Sequence, residues 1–170
     1  SSRVADQLKK AHPKVNRLRS ILGLDAKNPG IILKDADLDL TVDECVAGSL
    51  SFNGQRCTAL KILFVHEDIA DEFIKKFSAK VDALKVGMPW NNPTITPLPE
   101  DGKVEFLNGL IKDAESFGAK IVNETGGQSV GNLFAPTVLY PVNEKMKVYH
   151  IEQFGPIVPI VPFKNLQEPI

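Results

Sequence analysis

Thr41-Val42-Asp43-Glu44-Cys45-Val46-Ala47-Gly48-Ser49-Leu50-Ser51-Phe52-Asn53-Gly54-Gln55-Arg56-Cys57-Thr58-Ala59-Leu60-Lys61-Ile62-Leu63-Phe64-Val65 changes its hydrophobic period half-way along. Up to Leu50, the residues Val42, Cys45, Val46, Ser49 and Leu50 recur at three- and four-residue spacing, which is the inner stripe of a helix. Thr41 with Glu44 three residues on predicts a capping box at its start. Asn53-Gly54 breaks that helix, and residues 60–65 form an apolar run of buried-strand type. A helix, a tight turn and a strand buried on both faces point to an α/β fold.

The rest of the chain extends the alternation. Residues 4–10 are helical in character and stop before Pro13. Residues 17–24 alternate, with Leu18, Ser20, Leu22 and Leu24 on one face, which predicts a strand. Residues 30–33 read as a short buried strand, and Asp35-Ala36-Asp37-Leu38-Asp39 leads into the helix. Residues 68–84 carry Ile69, Phe73, Phe77, Val81 and Leu84 on one helical stripe. Four prolines between 87 and 99 predict a long surface loop. A further helix over 103–117 is closed by Gly118. Residues 119–123, 134–140 and 157–163 are strand-like, with a flexible turn at 126–132. The expected architecture has three layers, a largely parallel sheet flanked by helices.

Length and composition narrow the function. The 170 residues fit one domain, and a net charge of −1 leaves no basic face for nucleic acid. The basic cluster Lys9, Lys10, Lys14, Arg17 and Arg19 and the acidic run Asp35, Asp37, Asp39, Asp43 and Glu44 read as solvated surface. Cys45 falls on the apolar side of its helix and Cys57 in a turn, so no disulfide framework is expected and a reducing, cytoplasmic setting is. No apolar run approaches the ~20 residues of a membrane span, and no signal peptide is recognisable. His12, His66 and His150 are scattered, without ligand spacing, so no metal site is expected. No glycine-rich phosphate loop occurs. The start at Ser1 without Met, and the new segment opening at Asn165-Leu166-Gln167-Glu168, predict a piece of a longer protein.

Cys57 is the candidate nucleophile. Thiolate is the reactive form of cysteine, and a neighbouring cation or converging backbone N–H groups raise its fraction. Arg56 stands next to it and Asn53-Gly54 supplies the turn. The competing reading is an inert thiol.

Four segments carry a family resemblance: Leu24-Asp25-Ala26-Lys27-Asn28-Pro29, Asp35-Ala36-Asp37-Leu38-Asp39, Gly54-Gln55-Arg56-Cys57 and Glu152-Gln153-Phe154-Gly155-Pro156. Their order and spacing resemble those of aldehyde dehydrogenases over nearly the whole chain. Within that family, the segment from Ser51 to Lys61, with Val86-Gly87-Met88-Pro89 and Ile95-Thr96-Pro97-Leu98, is similar to the NADP-dependent non-phosphorylating glyceraldehyde-3-phosphate dehydrogenases. The resemblance implies a thiol-bearing catalytic domain over 1–170, with a cofactor domain and a closing segment outside this chain. It implies NADP (or NAD) as cofactor, a small aldehyde as substrate and a homodimeric or homotetrameric parent enzyme.

It also implies roles. Cys57 attacks the aldehyde and carries a thioester, which water hydrolyses to the acid. The Cys57 N–H is one oxyanion donor; a second, an asparagine, belongs to the cofactor domain, and Asn53 reads as turn chemistry. Glu152 matches the carboxylate that binds the nicotinamide ribose, and Phe154 the ring beside the nicotinamide, although Ile151 replaces the first acidic residue of that motif. Arg56 either binds a substrate phosphate or braces the loop. Many members carry a glutamate base where this chain has Gly23. Were the strand over 17–24 to continue, Asp25 would share the face of residue 23 and offer a carboxylate; otherwise it is a turn residue. Coenzyme A-acylating semialdehyde dehydrogenases, which can lack that glutamate, remain an alternative, as does a non-catalytic binding or scaffold homologue.

Overall fold

A computed structural model describes residues 2–169, and five of its strands form one sheet. β1 (Pro29–Ile32), β2 (Ile62–His66), β7 (Ile157–Phe163), β6 (Thr137–Tyr140) and β3 (Lys120–Ile121) lie side by side in that order. β1, β2, β7 and β6 are parallel neighbours, and β3 pairs antiparallel with β6 at the edge. β4 (Ser129–Val130) and β5 (Leu133–Phe134) make a separate hairpin.

Burial on both faces explains the unbroken apolar strands. On one side Leu63, Val65, Val138, Val158 and Ile160 pack with α2 (Leu38–Leu50) and α3 (Glu67–Asp82), through Val42, Leu50, Phe73, Phe77 and Val81. Phe73 and Phe77, one helical turn apart, stack with centroids 5.4 Å apart. On the other side Leu139 and Ile157 meet Leu107, Leu110, Ile111 and Ala114 of α4 (Lys103–Ser116) and Val148 of α5 (Lys147–His150). Ile62, Phe64 and Phe163 continue that face, against Tyr149 of α5. Helices on both faces of a mostly parallel sheet make the three expected layers.

The structure corrects several local expectations. α2 begins three residues before Thr41, and Asp37 caps it by accepting from the Asp39 and Leu40 N–H groups. An Asp side chain at the true N-cap outcompetes the predicted box. Residues 17–24 form no strand. A short 3-10 turn over Val15–Arg17 is followed by irregular chain, with Ile21 and Leu22 exposed, because no neighbouring strand there offers hydrogen-bond partners. Residues 134–140 are two strands, divided at Pro136, which cannot donate to a ladder. The stretch 126–132 contains one arm of the hairpin. The proline-rich loop is partly anchored: Ile95 and Leu98 are buried, and Val86 bridges to Ile95. α1 (Ser2–Ala11) lies apart, burying no residue. Among the described residues no helix is long and apolar enough to cross a membrane.

Candidate active site

Three loops enter the amino ends of the adjacent strands β1, β2 and β7, and the candidate residues sit on them. Asn28 precedes β1, Cys57 and Lys61 precede β2, and Glu152 to Gly155 precede β7. Strand order therefore brings together segments more than ninety positions apart, such as Lys61 and Gln153.

The Cys57 loop starts with a tight left-handed path. Phe52, Asn53 and Gly54 have φ of 54°, 59° and 66°. Such backbone is unfavourable for Phe52 and persists only where its surroundings fix it. Asn53 supplies part of that fixing: its amide nitrogen donates to the Thr96 carbonyl (3.1 Å) and its oxygen accepts from the Thr96 N–H (2.9 Å). This pairing ties the loop to residues 95–98. Further on, the Asn28 amide donates to the carbonyls of Cys57 (2.6 Å) and Ala59 (3.0 Å). Cys57 itself is exposed, and among the described residues its N–H and its sulfur have no hydrogen-bond partner.

Lys61 holds the loop from beneath. Its side chain is 1% exposed, and Nζ donates to the carbonyls of Gly54 (3.1 Å) and Arg56 (2.7 Å). The same ammonium lies 3.5 Å from Glu152 Oε1 and 4.6 Å from the Phe154 ring centroid. Burial lowers the Lys61 pKa from its ordinary value, while Glu152 and the nearby Cys57 work to keep it charged. Glu152 is partly exposed, and its other oxygen is 3.5 Å from the Ala26 N–H, so it retains acceptor capacity toward solvent.

Gln153 locks the floor. Its amide nitrogen donates to the Lys61 and Ile157 carbonyls (2.8 and 2.7 Å), and its oxygen accepts from Lys27 Nζ (2.8 Å). Lys27 also donates to the Ile151 carbonyl at 3.0 Å. Burial, aided by the Lys61 charge and opposed by Glu152, brings Lys27 from 10.5 down to about 7. A neutral amine keeps two N–H donors, enough for both bonds. Unfolding between pH 7 and 10.5 therefore takes up a proton, so the cost of burying Lys27, complete below pH 7, fades as pH rises. Urea denaturation of the wild type and Lys27→Met should show the stability difference moving in favour of the wild type from pH 7 to 10. A difference that does not vary with pH would contradict this.

The other sequence candidates separate. Arg56 is exposed with its guanidinium 5.0 Å from the Phe52 ring centroid, a bracing geometry. Asp25 is exposed, and its carboxylate makes no hydrogen bond or ion pair among the described residues; without a strand it shares no face with residue 23. A methyl group at Gly23 would meet nothing within 4 Å. Cys45 is buried, and burial with Glu44 beside it pushes its thiol up to about 11, which makes it the inert cysteine. Among the described residues no group of three His, Cys, Asp or Glu could hold a metal. An open groove of about 470 Å3 lies between Phe52 and Phe154, lined also by Thr96 and Glu100.

This arrangement offers a solvent-facing thiol, a free N–H on the same residue, an oriented carboxylate and a half-buried ring. The sequence profile described as the aldehyde dehydrogenase family matches residues 1–170. The chain belongs to the aldehyde dehydrogenase family. Among its relatives, the NADP-dependent glyceraldehyde-3-phosphate dehydrogenase of Streptococcus equinus is 42% identical over 150 residues, covering 88% of this chain and 31% of the relative. The enzyme of the same name from Apium graveolens is 40% identical over 147 residues, covering 86% and 29%. The chain thus spans about a third of the length of these relatives. The structure of NADP-dependent glyceraldehyde-3-phosphate dehydrogenase from Bacillus halodurans C-125 complexed with NADP superposes with a TM-score of 0.83. It is 36% identical, over 94% of this chain and 34% of that one. Salicylaldehyde dehydrogenase from Pseudomonas putida G7 superposes at 0.87 with 37% identity, over 99% and 34%. The aldehyde dehydrogenase fold is thus shared by relatives whose names carry different aldehydes.

Two features of this aldehyde dehydrogenase domain were not assigned by sequence reasoning. Lys61 interrupts the apolar run Leu60-Lys61-Ile62-Leu63, a signal that a charge enters the sheet. Asn28 and Lys27 precede a strand as ordinary turn residues do, and nothing local names their distant partners. The residues present fit the nicotinamide-ribose end of a cofactor, since Glu152 keeps free acceptors beside the Phe154 ring.

Proposed function

We propose that this chain is the thiol-bearing catalytic domain of an NADP-dependent aldehyde dehydrogenase that oxidises glyceraldehyde 3-phosphate to 3-phosphoglycerate. One observation carries the reading: an exposed thiol with a free N–H, on a loop that Lys61 joins to an oriented carboxylate and ring at the amino ends of neighbouring parallel strands. The relatives' names support NADP and the phosphorylated substrate. Their greater length is where this reading puts the nucleotide-binding domain and the segment that pairs subunits into a homodimer or homotetramer. The cytoplasm, which keeps thiols reduced, is the compartment such a nucleophile requires.

In this mechanism the Cys57 thiolate adds to the aldehyde carbon, and the alkoxide forms within reach of the Cys57 N–H. Glu152 and Phe154 would hold the nicotinamide end of NADP, or of NAD in its place, which when bound would supply the hydride acceptor that oxidation of the Cys57 adduct to a thioester requires. Water then cleaves the thioester carbon–sulfur bond, the acid leaves and the thiolate is restored. Asp25, outside the sheet and open to solvent, is the proposed carboxylate for activating that water. Arg56 either steadies Phe52 or turns to the substrate phosphate.

The glycine at position 23, where many members carry a glutamate base, favours a second reading, transfer of the acyl group to coenzyme A. The full-length protein assayed on glyceraldehyde 3-phosphate with NADP, without phosphate or coenzyme A, separates them. Continuous NADPH production supports hydrolysis, whereas a burst that turns over only with coenzyme A supports acyl transfer. Failure to form NADPH with this and other aldehydes overturns both in favour of a non-catalytic homologue. Asp25→Asn should slow steady turnover by about 10²–10⁴-fold while leaving the first-turnover burst intact. An unchanged steady rate removes Asp25 from the mechanism.

A further inference from the structure

Lys61 heads the largest fully buried side chains of the described residues, and it is charged. Burying an ammonium is costly unless every donor is met. Packing does not require it: its neighbours along β2 are Ile62, Leu63, Phe64 and Val65. The contacts that offset the cost all point one way. Two go to carbonyls flanking Gln55 in the nucleophile loop, and the others to Glu152 and Phe154 in the loop before β7. The Lys61 backbone is pinned as well, its N–H donating to the Asn28 carbonyl (2.8 Å) and its carbonyl accepting from Gln153 (2.8 Å). Its ammonium thus touches both loops.

We propose that Lys61 is a positioning residue for the reaction assigned above: its buried ammonium ties the Cys57 loop to Glu152 and Phe154, setting thiol and carboxylate in one register. The inference rests on that functional reading. The two carbonyls it holds lie one and three residues before Cys57, so the ammonium fixes the stretch of chain that carries the thiol. Arg56, the cation adjacent in sequence, is turned to Phe52 instead. Lys27 and Lys103 add positive charge around the same point, and Glu152 offsets it. Misplacement by about 1 Å is enough to cost about 10²-fold in a reaction that depends on attack geometry.

The test uses the full-length protein, with Lys61→Met to remove charge and donors at similar length and Lys61→Arg to keep the charge. Iodoacetamide labelling, with the Cys57 peptide followed by mass, reads the thiol without any turnover. Lys61→Met should change the Cys57 labelling rate at pH 7 by about tenfold, because the loop loses its anchor. Its kcat/KM should fall by about 10²-fold, with a raised KM for NADP. Lys61→Arg should recover most of the labelling rate. A folded Lys61→Met protein with unchanged labelling rate and unchanged KM for NADP overturns the proposal. A wild type that labels rapidly yet oxidises no aldehyde overturns the functional reading instead. Should Lys61→Met fail to fold by circular dichroism, Lys61→Gln carries the same comparison. If neither neutral variant folds, Lys61 is a folding group and the positioning role is overturned.

Discussion

Cys57→Ala in the full-length protein will lower aldehyde oxidation by about 10⁴-fold or more, because removing the nucleophile of a covalent mechanism removes every later step. The fold will not notice. Cys57 is exposed, its sulfur has no partner among the described residues, and the Asn28 amide holds its carbonyl, which alanine retains. The initial rate of NADPH formation and a thermal melt on the same preparation check both halves. An alanine variant retaining a tenth of wild-type activity would exclude Cys57 as nucleophile. A melt that falls by several degrees would instead mean that the thiol supports the loop.

Gly54→Ala has the largest expected effect on stability. Gly54 adopts φ of +66°, and a methyl group there would lie 2.8 Å from both the Gly155 and Ser49 carbonyl oxygens. Both are backbone atoms, one at the end of α2 and one in the loop before β7, so neither can rotate away. Strained backbone and overpacking each cost about 1–3 kcal/mol, which puts the variant at about 2–6 kcal/mol below the wild type. Gly23→Ala is the control: nothing lies within 4 Å of its added methyl group, and a change of less than about 0.5 kcal/mol is expected. Denaturant midpoints for the pair test the contrast. Equal midpoints would mean that the turn relaxes around the methyl group. The close approach also explains how the turn serves the site, since Gly54 is where the nucleophile loop and the Glu152 loop touch.

Elements whose evidence is local were legible in the sequence. The stripe Phe73, Phe77 and Val81 specifies a helix with one buried face, and Gly118 at φ of +98° ends α4 as a left-handed C-terminal glycine should. Residues 157–163 read as a strand and are one, with the same ends. Alternation alone misled at 17–24, because a strand is completed by a neighbour and none adjoins that segment. Thr41 resembled a cap until the helix proved to start one turn earlier at Leu38, where Asp37 is available. In the site, Cys57, Glu152 and Phe154 were visible as motifs, and the sheet order brings their loops together. Lys61, Lys27 and Gln153 were not assigned, because each has at least one partner far along the chain, 126 positions away for Lys27 and Gln153. A lysine beside a strand normally reaches solvent; only the tertiary structure shows this one facing two backbone carbonyls and a carboxylate.

The covalent step on Cys57 is tested most directly by trapping it. The full-length protein is mixed with NADP and glyceraldehyde 3-phosphate, quenched in acid during the first turnover and digested for mass analysis. The account predicts the acyl group on the peptide containing Cys57, in proportion to the NADPH formed. NADPH formation with that peptide unmodified, or with the acyl group on another residue, would contradict it.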